Sequence, residues 1–508
     1  MTNAMKFHCD VLVAGGGVAG VSAALSAARN GMSTMLLESQ ISLGGLATNG
    51  YVNGIAGMVE GNCAEWLDRM EAAGALLRRP HQSAIDPEKG KLVLESMLLE
   101  AGVRVLYGAG VVDVTTEDGV VREVVCHTKS GRLGVKAGIV IDATGDAEVA
   151  AAAGVPYEVG SAEFGGLNMS TTLAFRMAGV NMTKYGEANR TRMQQPATGG
   201  EGASRASLLS ELEDRAVEAG DLPHFVFPTA LIYQVPGTPP ENADICVMTT
   251  HSFYTRNTDA EDLTRQVIEQ HRQIAWMEAF FKKYVPGFEK GRLTGIANLH
   301  GVRDSRRVIG EYVLKDEDVA CAAKFEDGIA KFPEFFDTHH PTNRRLGFMR
   351  HIHLDEPKEP AVCRPARCGG DMHPFVQPGG YEARVNPLEY CEIPYRSLVP
   401  LKADNLLVAG RCASAEFHAM AAVRVIALCM ATGQAAGTAA ALCLKEGVTP
   451  RELDGRRVRQ EMIAQGVALD QAPDGHWATV RQELRGEFVV LPGDFVGVMT
   501  KDGLKTHM

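Results

Sequence analysis

The chain has 508 residues, with 51 Lys and Arg against 62 Asp and Glu and a net charge of −11, which argues against a surface built to track nucleic-acid phosphates. It is too long for one compact core, and about two to four structural units of a large soluble protein are expected. Its 11 cysteines form no CxxC pair and no evenly spaced framework, so they read as free, mostly buried thiols of a reducing cytoplasm.

Val11 to Val13 is a β-branched apolar run that reads as a buried strand, turning at Gly15, Gly17 and Gly20 into a helix. In such a turn the first glycine permits the tight bend and the second lets backbone approach a pyrophosphate. The third lets the helix press on the sheet. Ala19, at the helix start, is grouped with them. A lone GxGxxG is weak among 54 glycines, but four further parts stand in register. Ala24 is small on the face that meets the sheet, and Gly31 suits a left-handed helix cap. Thr34 to Leu37 reads as a second parallel strand. Glu38 stands at its carboxyl end, where a carboxylate can accept from both hydroxyls of an adenosine ribose and disfavours a 2′-phosphate. The pair Gly44 and Gly45 would let backbone pass beside the rest of the cofactor, which favours FAD over NAD.

Lys6 before an apolar stretch resembles a secretory signal, but the glycines break any signal helix, so this is read as folded protein. A helix around Ala64 to Leu77 follows, then a loop with Pro80 and Pro87, then a helix from Lys91 to Ala101. Val103 to Tyr107, Val111 to Thr115 and Val120 to His127 read as strands, the last pair a hairpin. Gly138 to Asp142 is another buried strand, expected to rejoin the first sheet and to close on Ala143, Thr144, Gly145 and Asp146.

From about Val155 to Pro387 the βαβ rhythm is lost. Helices such as Ala206 to Ala219 and Glu261 to Tyr284 alternate with short strands such as Ile245 to Thr250, and Glu326 to Gly380 reads as long irregular loop. Near Tyr390 the first character returns. Asn405 to Val408 is a strand ending in Ala409, Gly410 and Arg411. Ala419 to Leu444 is a small-residue helix in which Gly433, Ala436 and Gly437 allow close packing. This stretch comes nearest to a membrane span, but Arg424 and Gln434 interrupt it, so no membrane partner is expected. The units are therefore 1–155, first part of a dinucleotide-binding domain; 156–387, a cap; 388–448, its second part; and 449–508, a helical tail opened by a charged helix at Gly455 to Gly466.

Candidate chemistry gathers in few places. His300, Arg303, Arg306 and Arg307 repel one another unless they spread over faces or meet anions. Some are expected to pair with Asp304 or Glu311, while Arg303 or Arg306 could grip a carboxylate with the planar guanidinium fork. Tyr395 and Arg396 are further candidates at the return to the first domain. His339, His340, His351 and His353 lack accompanying acids or thiols at ligand spacing, so no metal is expected. Cys363 and Cys368 read as ordinary thiols.

Three stretches, GGGVAGVSAALSAARNG with GGLATNG, IDATGDAEVA, and IPYRSLVPLKADNLLVAGRCAS with GQAAGTAAA, resemble the FAD-dependent oxidoreductases of the glutathione-reductase-like superfamily. The likeness is nearest to the broad bacterial family called simply FAD-dependent oxidoreductase and more distant to fumarate reductase flavoproteins. GVRDSRRVIGEYVL at 301–314 resembles the same family. The likeness implies an α/β fold: a Rossmann-like FAD-binding domain of parallel sheet, helices and small β-meander, with an inserted α+β cap. It places the ADP contacts at Gly15, Gly17, Gly20 and Glu38, the pyrophosphate and ribityl side at Gly44 and Gly45, and the adenosine-side turn at Ala143, Thr144 and Gly145. Gly410 and Arg411 match a second flavin motif, where relatives such as fumarate reductase carry an acid; Arg411 departs from it and could act only as donor. A helix starting near Val425 would aim its N–H groups at the flavin pyrimidine. His418 resembles a substrate-contacting histidine.

The expected protein is an FAD-dependent dehydrogenase or reductase that passes a hydride between flavin N5 and a small anionic or hydroxylated substrate. A flavin-dependent hydroxylase or oxidase using oxygen, or an electron-transfer subunit with no small substrate of its own, are the alternatives. The electron acceptor and oligomeric state, homo-oligomer included, stay open.

Overall fold

The computed structural model describes residues 6–78, 82–194, 208–223, 231–320, 323–332, 337–342 and 390–470, with three further strands toward the C-terminus. β1 (Lys6–Ala14) buries Val11, Leu12 and Val13 completely and leads through Gly15 into α1 (Val18–Arg29). Gly31 takes φ +90° just past the end of α1, as a left-handed cap requires. β2 (Thr34–Glu38) then runs parallel to β1, with Val11 opposite Thr34.

β3 (Gly54–Ala56), α2 (Gly61–Ala72), β4 (Leu76–Leu77) and β5 (Gln82–Ile85) follow, the strands forming a small antiparallel sheet. The helix expected to reach Leu77 stops earlier, because Gly74 at φ +64° ends it and frees Leu76 and Leu77 to pair with β5. α3 (Pro87–Glu100) starts where the Asp86 carboxylate accepts from the N–H groups of Glu88 and Lys89.

After β6 (Arg104–Tyr107), the strands β7 (Gly110–Glu117), β8 (Val120–Thr128) and β9 (Gly131–Asp142) form the expected meander. β9 is long enough to join the meander to the parallel part of one sheet. Its start pairs antiparallel with β8 while residues 134–142 lie parallel to β1. The order is β6-β2-β1-β9-β8-β7, and the late strand Leu406–Val408 adds parallel to the end of β9. The two ends of the chain therefore share one sheet.

α4 (Glu148–Ala152) and β10 (Tyr157–Val159) lead into the cap. There β11 (Phe175–Val180), α5 (Met182–Gln194), α6 (Leu208–Glu218), β12 (Leu231–Gln234), β13 (Ala243–Met248), α7 (Ala260–Tyr284) and β14 (Arg292–Ile296) build an antiparallel sheet of order β12-β13-β11-β14 with helices against it. Its own core joins Phe175, Met177, Ile245 and Val247 of the sheet to Ile274, Met277, Phe280 and Phe281 of α7.

β15 (Arg306–Val308) pairs back with β10, and α8 (Asp316–Ala320), β16 (Gly328–Phe332) and β17 (Cys391–Pro394) follow. Leu314, Val319, Ile329 and Phe332, from the stretch that the sequence reading places in the cap, pack in the same core as Val11 and Val13.

β18 (Leu406–Val408) is followed by α9 (Phe417–Val423), α10 (Ile426–Glu446) and α11 (Gly455–Ala464). The single helix expected over 419–444 is thus broken at Arg424 and Val425, where Val425 is extended (φ −64°, ψ 149°). By length and composition α10 could cross a membrane, yet 89% of its apolar window is buried inside the fold, as for a core helix. The tail is not all helical: Glu487–Val490, Val496–Thr500 and Gly503–Thr506 form a separate antiparallel sheet.

Candidate functional site

The turn after β1 is shaped by backbone contacts. A Cβ at Gly15 would meet the Ala143 carbonyl oxygen at 2.5 Å, and one at Gly20 would lie 1.8 Å from the Gly15 oxygen. Gly17 differs: nothing lies within 4 Å of its Cβ position, so its backbone faces open space at the start of α1. An anion fits there, against uncapped N–H groups and the positive end of the helix dipole. Gly44 N–H donates to the Gly16 oxygen at 2.9 Å, and a Cβ on Gly45 (φ +54°) would touch Gly17 Cα at 3.0 Å, so the second glycine pair wraps directly over the first turn.

Glu38 is buried at the end of β2 with its carboxylate fixed by two backbone donors, Gly16 N–H and Gln40 N–H, each at 2.6 Å. Oε1 also accepts from the Ser39 hydroxyl at 3.1 Å, so the lone pair left for a ribose hydroxyl is on Oε2. Glu38→Ala is expected to weaken FAD binding by about 10- to 100-fold, from loss of a charge-assisted acceptor worth roughly 1.5–3 kcal/mol. Fluorescence titration of the apoprotein with FAD reads it directly.

Across the sheet, Gly410 (φ +68°) brings the second motif against α1, where a Cβ would meet Ala19 Cβ at 2.9 Å. Beside it, the Ala143–Thr144–Gly145 turn is closed by Thr144, whose hydroxyl donates to Asp142 at 2.7 Å and accepts from Glu148 N–H. Arg411 does not point at a free anion site. Its guanidinium donates to Asp146 at 3.2 Å through both terminal nitrogens and covers Gly145, tying the two motifs together.

A second polar region lies where the cap meets this domain. Asn298 and Leu299 N–H groups donate to the Asn49 carbonyl, and Gly301 bridges Thr172, so the segment carrying His300 and Arg303 rests on the loop that follows Gly44 and Gly45. Arg303 donates to the Ser170 carbonyl at 2.6 Å and to Thr172 Oγ1 at 2.8 Å. Burial and the neighbouring Arg424 push its pKa down to about 9. Arg424 sits immediately before the first turn of α10 and donates to the Asp337 carboxylate at 2.8 Å, while its Nε is buried without a partner. His339 approaches the other Asp337 oxygen at 3.5 Å and stacks on His251 with centroids 5.5 Å apart.

Three neutral histidines thus surround two arginines. Burial, reinforced by the Arg303 charge, lowers His300 to about 4 and His339 to about 3, and holds His251 well below its usual range. The native fold resists protonating His300, whereas the unfolded chain binds that proton near pH 6.5. Stability supplied by this group is therefore complete above the ordinary pKa and is lost as pH falls toward the native one. Relative to His300→Gln, the wild type should lose about 1.4 kcal/mol per pH unit between about pH 6 and 4.5, with no such slope above about pH 7. Urea melts across that range test it.

Tyr395 is 1% exposed and donates to the Pro450 carbonyl at 2.8 Å, anchoring the approach to α11 in the core. Arg306 faces the opposite way from Arg303, donating to the Asp146 carbonyl at 2.9 Å beside the Tyr157 ring. Alternation along β15 sends neighbouring arginines to opposite faces. Arg307 is buried against Asp304 and the Gly160 carbonyl, the pairing expected of this cluster; Glu311 instead meets Arg451. Arg396 pairs with Asp327. His418 has both ring nitrogens engaged at 3.2 Å, one with Glu163 and the other with Oγ1 of Thr338, which stands between Asp337 and His339 in the chain.

Sequence reasoning missed Arg424, Asp337, His251, Gln270 and Tyr51. Arg424 left a signal as the charge that interrupts an apolar helix. Tyr51 left none, since its φ of +53°, costly for a bulky residue by about 1–3 kcal/mol, appears only in three dimensions. That conformation sets its ring against Arg176 of β11, 5.8 Å from the guanidinium. Among the described residues, which include His339 and His340, no group of three or more His, Cys, Asp or Glu could hold an ion. His351, His353, Cys363 and Cys368 lie outside the described residues. Among the described residues the cysteines are free, and all but Cys9 are buried.

A dinucleotide-binding α/β domain formed from both chain ends and covered by a cap is a flavoprotein architecture. The chain matches the FAD dependent oxidoreductase family over residues 10–462, and it belongs to that family, with FAD as its cofactor. Among solved structures it is similar to a geranylgeranyl bacteriochlorophyll reductase-like protein of Thermoplasma acidophilum, at 13% identity over 91% of this chain and 84% of that one, TM-score 0.43. It is also similar to the flavin-dependent brominase Bmp2, at 13% identity over 89% and 82%, TM-score 0.41. The myxobacterial chondrochloren halogenase CndH is a third, at 14% identity over 90% and 78%, TM-score 0.42. No protein of curated function matches it.

Proposed function

We propose that this flavoprotein is a dehydrogenase or reductase that exchanges a hydride with a carbon of a small organic anion bound beneath the cap. What carries the reading is a charge imbalance. Among the described residues, Asp304 is ion-paired with Arg307 at 3.5 Å, Arg307 also meets the exposed Glu158 at 3.5 Å, and Arg303 and Arg424 both face the carboxylate of Asp337. The surrounding histidines are neutral, so among the described residues the arginines gathered here outnumber the buried carboxylates they face, and a low-dielectric site of that kind favours an incoming carboxylate.

Bound FAD supplies the two-electron chemistry at N5. The chain supplies the rest. Arg303 and Arg424 orient the anion, the cap excludes water, and the uncapped N–H groups at the start of α10 favour negative charge beside Arg424.

Anaerobic mixing of the purified yellow protein with hydroxy acids, amino acids, polyols and steroids tests this. A carboxylate-bearing compound should bleach the flavin while polyols and steroids leave it oxidised. Bleaching by neutral compounds alone would overturn the anion reading, and bleaching by NAD(P)H alone would exclude the dehydrogenase direction in favour of the reductase one. Rapid oxygen consumption by the reduced enzyme with product hydroxylation would move it to a hydroxylase.

A further inference from the structure

The buried face of α7 presents Gln266, Gln270 and Gln273, all essentially inaccessible to solvent, which is unusual for three amides in a helix packed on an apolar sheet. Two of them form a chain of hydrogen bonds with one direction. Gln266 Nε2 donates to the Asp262 carboxylate at 3.1 Å, and an ionised carboxylate can only accept, so Gln266 Oε1 must face the other way. It accepts from the Thr171 hydroxyl at 2.7 Å. With its proton spent there, Thr171 Oγ1 accepts from Gln270 Nε2 at 3.1 Å, and the Thr171 carbonyl accepts from the same nitrogen at 2.9 Å.

Gln270 is therefore locked with Oε1 toward His300 Nε2, 2.9 Å away. That oxygen can only accept, so the His300 ring carries its proton on Nε2. His300 Nδ1 is left as a bare lone pair, buried and, among the described residues, without a partner.

We infer that His300 Nδ1 is the atom that receives the substrate's proton, and that Gln270, fixed through Thr171, Gln266 and Asp262, is the positioning residue that keeps that lone pair free. The inference rests on the proposed dehydrogenase reading. In the oxidation of a hydroxy acid the substrate C–H leaves as hydride to the flavin, which takes both electrons. The substrate O–H bond breaks, its proton forms an N–H bond at Nδ1, and a carbonyl results. His300 becomes imidazolium. The charged neighbours that oppose this are Arg303 on the same segment and, behind it, Arg424, balanced by Asp337; Gln270 and the Asn49 loop bring no charge to the ring. An anion between the arginines supplies the missing negative charge, so substrate binding and His300 basicity reinforce one another by linkage.

The test begins with the holoenzyme labelled with 15N-histidine, His300 being assigned by comparison with His300→Gln. At neutral pH the His300 ring should show a proton on Nε2 and none on Nδ1. In Gln270→Met, which keeps the side-chain length and removes both amide functions, the ring should shift toward a mixture of tautomers. Thr171→Val, a milder break in the same chain, should do so in part. A wild-type ring protonated on Nδ1, or cationic at neutral pH, overturns the inference whatever the substrate proves to be.

The second readout is the rate of flavin bleaching by whichever compound in the panel reduces it. His300→Gln should slow it about 100-fold or more. Gln270→Met should slow it about 10-fold with substrate affinity nearly unchanged. An undiminished rate in His300→Gln overturns the inference; failure of every anion with the expected tautomer intact overturns only the anion reading.

Discussion

Arg303→Leu should reduce kcat/KM toward an anionic substrate by about 100- to 1000-fold, the cost of roughly 3–4 kcal/mol for removing one partner of a desolvated charge pair. The variant should still bind FAD with an unchanged absorption spectrum, because Arg303 is held from the cap side by the Ser170 carbonyl and Thr172 hydroxyl. The loss should appear mainly as weaker substrate capture. Arg303→Lys keeps the charge but replaces a planar fork by a single ammonium, so partial recovery is expected, short of wild type. Arg424→Leu should resemble Arg303→Leu in rate but also unsettle Asp337, whose carboxylate it holds down in pKa together with His339. Steady-state kinetics with the anion and its neutral methyl ester discriminate: the ester should be nearly indifferent to either substitution. An Arg303→Leu enzyme within threefold of wild type on the anion would place substrate recognition elsewhere.

The cofactor half of this protein was legible in sequence because its chemistry is done by backbone. A turn that needs left-handed glycine at Gly15, close helix contact at Gly20 and a carboxylate at the end of the next strand leaves letters at fixed spacing. The site under the cap left fewer. Arg303 was picked out with three basic neighbours, and only the alternation of β15 and the direction of its preceding loop separate it from Arg306 and Arg307, which face other partners. Tyr395 looked chemical because it sits at a domain junction, but a tyrosine whose hydroxyl reaches a buried carbonyl is as good a core residue as any. The Asp337–Arg424 pair spans two segments 87 positions apart, and His300–Gln270 spans 30, so neither partnership has a local pattern to read.

Gly433→Ala should cost about 3 kcal/mol or more of stability and yield a protein that loses FAD on dilution. A Cβ at Gly433 would lie 2.0 Å from the Ala19 carbonyl oxygen, and at Gly437 one would lie 2.1 Å from the Ala23 oxygen, so α10 and α1 meet backbone to backbone along two successive turns. Overpacking a core usually costs about 1–3 kcal/mol when side chains can give way, and here the obstruction is main chain that also forms helical hydrogen bonds. The helices must separate. At Gly433 that motion acts on Ala19, the residue against which Gly410 also packs and the one directly before Gly20, so the anion-binding turn moves with it. Gly437→Ala, one turn farther from the start of α10, should be comparably destabilising in urea melts of the apoprotein yet raise the FAD dissociation constant less. Equal loss of FAD affinity in the two variants would mean that the cofactor senses only global stability. A selective loss at Gly433 would locate the coupling in the contact of Ala19 with Gly410 and Gly433, where the two distant parts of the chain are joined.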